Sequence, residues 1–185
     1  MRETSQLELE DFLEELKQLE MLILGVDPSL RSTGFGVIEG QRKTWRCVGF
    51  GVISCPSSLG LGACLVRIAG GMRKVLEQFR PEVCAIEGLF FLQNIRTAIT
   101  LGHARGVAIA VLSEAGVPVF EYAPRRVKQS VVGCGGAQKL QVAEMLRPLL
   151  GLKELPPSDA ADALALALTH AHSLQNPGLG GGKSV

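Results

Sequence analysis

The chain has 185 residues, 46% of them hydrophobic, which suits one well-cored domain and leaves little room for two. Its formal net charge of +1 does not by itself signal a polyanionic partner. No apolar run approaches the roughly 18 residues needed to span a membrane. The start is acidic where a secretory signal would be basic. The five cysteines (Cys47, Cys55, Cys64, Cys84, Cys134) form no CxxC pair and have no zinc-like spacing with the three histidines. These features predict a soluble cytoplasmic protein with free thiols and no membrane partner.

The small net charge hides an asymmetry. Residues 1–20 hold seven acids (Glu3, Glu8, Glu10, Asp11, Glu14, Glu15, Glu20) against Arg2 and Lys17, a net of −5. The rest keeps 17 basic and 11 acidic residues, a net of +6. A basic body behind an acidic leader suits a polyanion partner, though many ordinary domains are this basic. The leader reads as an amphipathic helix: Ser5 and Glu8 form a capping box, and Leu9, Phe12, Leu13, Leu16 and Leu19 mark an apolar stripe. One role for it is to lie over the basic body and weaken non-specific binding of a polyanion. A dispensable extension ahead of Met21 fits the residues equally well.

From Met21 onward, "LILGVDP" is a short buried strand stopped by Pro28, and "TGFGVIEG" and "TWRCVGFGVISC" are two more. The turn-like Gly40–Lys43 between them predicts a hairpin, so the first three strands should be antiparallel neighbours. An amphipathic helix is expected over Ser57–Phe79, a fourth strand in "PEVCAIE", and a long helix over 94–115 closed by Gly116. "VPVFEYAP" makes a fifth strand. Helices follow over Pro124–Val132, Ala137–Leu150 and Ser158–His172, and residues 174–185 are expected as a disordered Gly-rich tail. This order predicts an α/β protein with a five-stranded mixed sheet, three antiparallel strands then two parallel, and helices on both faces. Ligands of such sheets sit at the carboxyl ends of the parallel strands.

Asp27 and Glu87 both end predicted strands. Alone, Asp27 before Pro28 is a turn former, while Glu87 ends a strand apolar on both faces and needs either exposure or a partner. Asp159 and Asp162 read first as caps, two acids at the positive end of a helix. That helix is apolar nearly all round from Ala160 to Leu168 and should be buried against the sheet. Its acidic head would then meet two acidic strand ends. Such a cluster is relieved either by protonation or by a divalent cation, and carboxylates with water are the ligand set of Mg²⁺ and Mn²⁺.

The stretches "ILGVDPSLRSTGFGVI", "AIEGLFF", "LGHARGVAIA", "PVFEYAPRRVKQSVVG" and "SDAADALALALTH" together resemble the RuvC Holliday junction resolvases, in order, from about Met21 to His172. The resemblance implies a ribonuclease H-like nuclease domain over 21–173, between the 1–20 extension and the tail. It implies a homodimeric, metal-dependent endonuclease that resolves four-way DNA junctions by paired symmetric nicks during recombination and repair, leaving 5′-phosphate and 3′-hydroxyl ends. The family's catalytic and metal-binding acids fall on Asp27, Glu87, Asp159 and Asp162, for two Mg²⁺ or Mn²⁺ ions. Some members carry His at the third position, where Asp159 stands. The aromatic that probes the junction falls on Phe90, beside Phe91. Basic DNA contacts fall on Lys128 and Lys139, with Arg125 as a neighbour. The branch-migration proteins RuvA and RuvB are the implied partners.

Two other classes fit parts of the chain. "GVDPSLRSTGFGV" resembles the first phosphate loop of actin and sugar-kinase folds, but no second loop or second domain accompanies it. A non-catalytic junction-binding protein would use the basic body and leave the four acids without purpose.

Overall fold

The computed structural model describes residues 20–41, 44–88, 95–176 and 182–185. The predicted leader helix and Phe90 lie outside the described residues. The strands are β1 (Met21–Asp27), β2 (Ser32–Gln41), β3 (Thr44–Ser54), β4 (Val83–Glu87), β5 (Val119–Tyr122) and β6 (Lys183–Ser184). The helices are α1 (Leu61–Phe79), α2 (Ile95–Glu114), α3 (Pro124–Val132), α4 (Lys139–Leu150) and α5 (Ser158–Gln175). One sheet runs in the order β3-β2-β1-β4-β5-β6. β1, β2 and β3 are antiparallel neighbours, and β4 and β5 extend the sheet parallel to β1, as predicted.

The sixth strand corrects the expected five. Lys183 and Ser184, placed by the sequence in a disordered tail, pair antiparallel with Glu121 and Phe120. The free edge of β5 offers unpaired backbone groups, and two residues of any sequence can use them. Two helix starts also differ from expectation: α1 begins at Leu61 rather than Ser57, and α4 at Lys139 behind a Gln138–Gln141 capping box. Gly116 takes a positive φ of 71° just past α2, the left-handed end that glycine permits.

Each face of the sheet has its own core. Leu24, Val26, Val37, Cys84 and Ile86 pack under α1 and α2 with Ile68, Met72, Ala108 and Leu112. Ile23, Ile38, Trp45 and Val83 pack under α3, α4 and α5 with Leu146, Leu150, Leu164 and Leu168. By length and composition α2 alone among the described helices is apolar enough to cross a membrane. It lies on the sheet layer instead, with Ala104, Ala108, Val111 and Leu112 buried.

Helix α5 is buried from Ala160 through Ala171, except for Asp162. It approaches the sheet closely because β1 and β2 offer glycine beneath it. A Cβ at Gly25 would overlap the Ala163 carbonyl oxygen, and one at Gly34 would overlap the carbonyl of Asp159. Adding that methyl must push the helix or the strand. Gly34→Ala should therefore lower the unfolding free energy by about 1–3 kcal/mol in urea titrations. Gly70→Ala, in the middle of α1 with open space around it, should instead hold or raise stability by up to about 1 kcal/mol.

Candidate active site

Strand alternation sets the first two acids. Ile23, Gly25 and Asp27 share one side of β1, while Val83, Ala85 and Glu87 share the same side of β4, the side covered by α5. The parallel register pairs Val26 with Ile86, so Asp27 and Glu87 follow as neighbours at the carboxyl ends of both strands. Asp162 descends from α5 to the same place, just after the turn that meets Gly34.

Asp27, Glu87 and Asp162 line one cavity of about 240 Å³, closed by Pro124, Val127, Lys128, Lys139, Val142, Ala165 and Leu166. Lys139 Nζ donates to Asp162 Oδ2 at 2.6 Å. Asp159 stands aside from this lining: its Oδ2 accepts a hydrogen bond from Ser32 Oγ. The capping expectation fails for both aspartates. Helix α5 starts at Ser158, Pro157 occupies the cap position at φ −51° and ψ 147°, and no side chain caps the head. The two carboxylates are engaged elsewhere, by Ser32 and Lys139. Arg125, at the exposed second residue of α3, packs against Gly135 and does not line the cavity.

The electrostatics show strain from like charges. Burial pushes the Asp27 carboxyl from its ordinary 3.8 to about 7, and Glu87, Asp162 and Asp159 add to the rise while Lys139 opposes it. Burial raises Glu87 as well, with Asp162 adding and Lys139 opposing. Lys139 is held above its ordinary value by its hydrogen bond to Asp162, despite desolvation. The ammonium is a cation standing where the acids demand one.

That demand is the test of a metal site. Three carboxylates, two with raised pKa and one paired with a lysine, in a part-desolvated cavity form the oxygen donor set of a hard divalent ion. Among the described residues no three ligating groups are closed into a ready cage, and Lys139 holds Asp162. The acids fit the ion by donor type and charge, and Lys139 occupies one of the two Asp162 oxygens.

Two contacts were missed from sequence. Ser32, which holds Asp159, gave no signal as a serine at the start of β2. Arg105 did signal: it is a lone cation in the apolar run "LGHARGVAIA", and its guanidinium meets Glu87 and Glu121. A second cavity of about 520 Å³ lies where β1 and β4 begin, lined by Met21, Val83, Phe120, Tyr122, His170 and Leu174. Its lining carries no carboxylate except Glu82.

The family model described as crossover junction endodeoxyribonuclease RuvC matches residues 23–170. The chain belongs to the RuvC family. It is 45% identical over 154 residues to the RuvC of Chloroflexus aggregans, covering 83% of this chain and 94% of that one. The RuvC of Pasteurella multocida is 48% identical over 155 residues, covering 84% of this chain and 81% of that one. Among solved structures, T. thermophilus RuvC in complex with Holliday junction substrate aligns with a TM-score of 0.82 at 38% identity, covering 89% of this chain and 99% of that chain. The yeast mitochondrial Holliday junction resolvase Ydc2, at 12% identity and a TM-score of 0.60, shares the fold.

The raised Asp27 pKa has a consequence for stability. Between about pH 4 and 7 the unfolded carboxyl ionises while the folded one stays protonated, so this group subtracts stability as the pH rises. In EDTA, Asp27→Asn should melt above wild type at pH 8. The gap should close as the pH falls towards 4, read by circular dichroism melts across the series.

Proposed function

We propose that this RuvC-family chain is a crossover junction endodeoxyribonuclease, with Asp27, Glu87 and Asp162 as its metal-holding catalytic acids. The observation that carries this reading is the convergence of the three carboxylates on one cavity bordered by Lys128 and Lys139. The nuclease domain spans 21–173, with 1–20 as an extension. The substrate is a four-way DNA junction, the molecule bound in the T. thermophilus RuvC complex.

Asp27 is central because it adjoins Glu87 across the β1–β4 pair and feels Asp162 and Asp159 as well. When bound, Mg²⁺ or Mn²⁺, two ions in the fullest form of the site, supplies a water of lowered pKa and neutralises charge on the cleaved phosphate. Asp27, Glu87 and Asp162 would hold the ions, with Asp159 as an outer ligand or base. Lys139, which balances the acids through Asp162, would be within the same cavity to meet a phosphate oxygen. Lys128, which also lines the cavity, positions the backbone without reading sequence. The heads of α3 and α4 border the cavity through Pro124 and Lys139, and helix N-termini favour phosphate. Hydrolysis here leaves a 5′-phosphate and a 3′-hydroxyl.

Paired nicks need two sites related by a two-fold axis, which a homodimer supplies. Helix α2 supports one: Ile95 is 77% exposed and Ile99 54%, and the exposed His103, Gly106 and Ala110 continue that face. Phe90 is assigned to probe the junction, Arg125 to a flanking phosphate, and RuvA and RuvB to branch migration, in the cytoplasm, on family likeness.

Cleavage of a synthetic four-way junction against matched duplex, with Mg²⁺, Mn²⁺ or EDTA, tests the whole reading. Asp27→Asn should abolish metal-dependent nicking while junction affinity stays level or rises, because phosphate repulsion falls. Robust cutting by that variant would overturn the site. Lys128→Ala should reduce the slope of log affinity against log salt by about one unit. An unchanged slope would remove Lys128 from the DNA path.

A further inference from the structure

Arg105 sits in the middle of α2 with its side chain only 12% exposed. Two N–H groups on one edge of its guanidinium are used. Nε donates to the carbonyl oxygen of Glu87 at 3.2 Å, and Nη2 donates to Glu121 Oε2 at 2.7 Å. The acceptors belong to neighbouring strands: Glu87 ends β4, and Glu121 lies in β5, paired with Ile86. A third bond, from Gly88 N to Tyr122 O at 2.9 Å, closes the same corner. The chain therefore leaves β4 under two polar restraints, and the side chain that makes one of them is itself anchored on β5 through Glu121.

Packing alone does not account for this cation. Burying a guanidinium and a carboxylate costs desolvation, and an apolar pair of similar volume often packs as well or better. What an apolar side chain cannot do is grip a carbonyl. The carbonyl that Arg105 grips belongs to the residue whose side chain enters the acid cavity. Rotation of the Glu87 peptide would swing that carboxylate relative to Asp27 and Asp162, and Arg105 opposes it with a planar, two-point clamp.

We propose that Arg105 is a positioning residue of the nuclease site, clamping the Glu87 carbonyl to Glu121 so that the Glu87 carboxylate projects towards Asp27 and Asp162. The proposal rests on the assignment of that cavity as the nuclease site. Helix α2 then has a double role, since the helix whose exposed face is assigned to the partner subunit also carries the clamp on the catalytic strand.

The test uses the full chain with Arg105→Gln, Arg105→Lys and Glu121→Gln, and Asp27→Asn as reference. Mn²⁺ binding without DNA is measured by calorimetry, junction affinity in EDTA, single-turnover cleavage at saturating junction, and folding by thermal melts. Arg105→Gln should weaken Mn²⁺ binding by about 10- to 100-fold, the usual effect of losing a residue behind a ligand. Its cleavage rate should fall and recover with excess metal, while junction affinity holds. Arg105→Lys and Glu121→Gln should show the same pattern, smaller, and they carry the test if Arg105→Gln does not fold. Wild-type Mn²⁺ affinity in these variants, or a rate loss that excess metal does not restore, overturns the clamp. If Asp27→Asn also binds Mn²⁺ and cuts normally, the site assignment itself fails.

Discussion

The close seating of α5 on β1 and β2 is the contact on which the site depends. Gly25 and Gly34 leave no side chain between strand and helix, so the Ala163 and Asp159 carbonyls rest almost on the sheet backbone. The Ala and Leu body of α5 fills the space around them, with Leu164, Leu166 and Leu168 nearly or fully buried. Burial of that body is worth roughly 1.5–3 kcal/mol for each large side chain, far above the cost of adjusting one carboxylate at its end. Packing thus fixes where Asp162 stands, and electrostatics has to accommodate the result.

The accommodation is visible in the protonation of the cluster. Asp27 is raised to about 7, so in the metal-free fold at neutral pH it carries only part of its charge. Lys139 answers the rest by bonding Asp162. A site arranged this way gains when a divalent cation enters, because the ion relieves repulsion that the fold otherwise bears. The same logic explains why the carboxyl end of the sheet is the functional end. The heads of α3, α4 and α5 all arrive there, and their free N–H groups favour both carboxylates and phosphates.

Much of this is legible in the chain. Strand alternation and apolar periodicity predict five strands, their antiparallel and parallel pairings, and helices on both faces, because each pattern is local. Asp27 and Glu87 are recognisable as strand-terminal acids, Asp27 as a turn former before Pro28 and Glu87 at the end of an apolar strand where it needs exposure or a partner. Other features escape for a physical reason. The aspartates at the head of α5 read as caps, a role that depends only on neighbours in sequence. Their real partners, Ser32 and Lys139, lie 127 and 23 residues away. Lys139 reads as a DNA contact, whereas the folded protein first uses it to balance acid. The strand at Lys183–Ser184 exists because β5 presents an open edge, which no pattern within the tail records.

Sequence by itself determined the element order from β1 to α5, the apolar faces and the family, and it nominated the four acids through the family resemblance, since all of these reside in residue types and spacing. Only the tertiary structure decided that three of the four acids share one cavity while Asp159 turns to Ser32. It alone decided that Arg105 would grip the strand end carrying Glu87. Those outcomes follow from distances between segments far apart in the chain, set by how closely a helix can approach a sheet that offers it glycine.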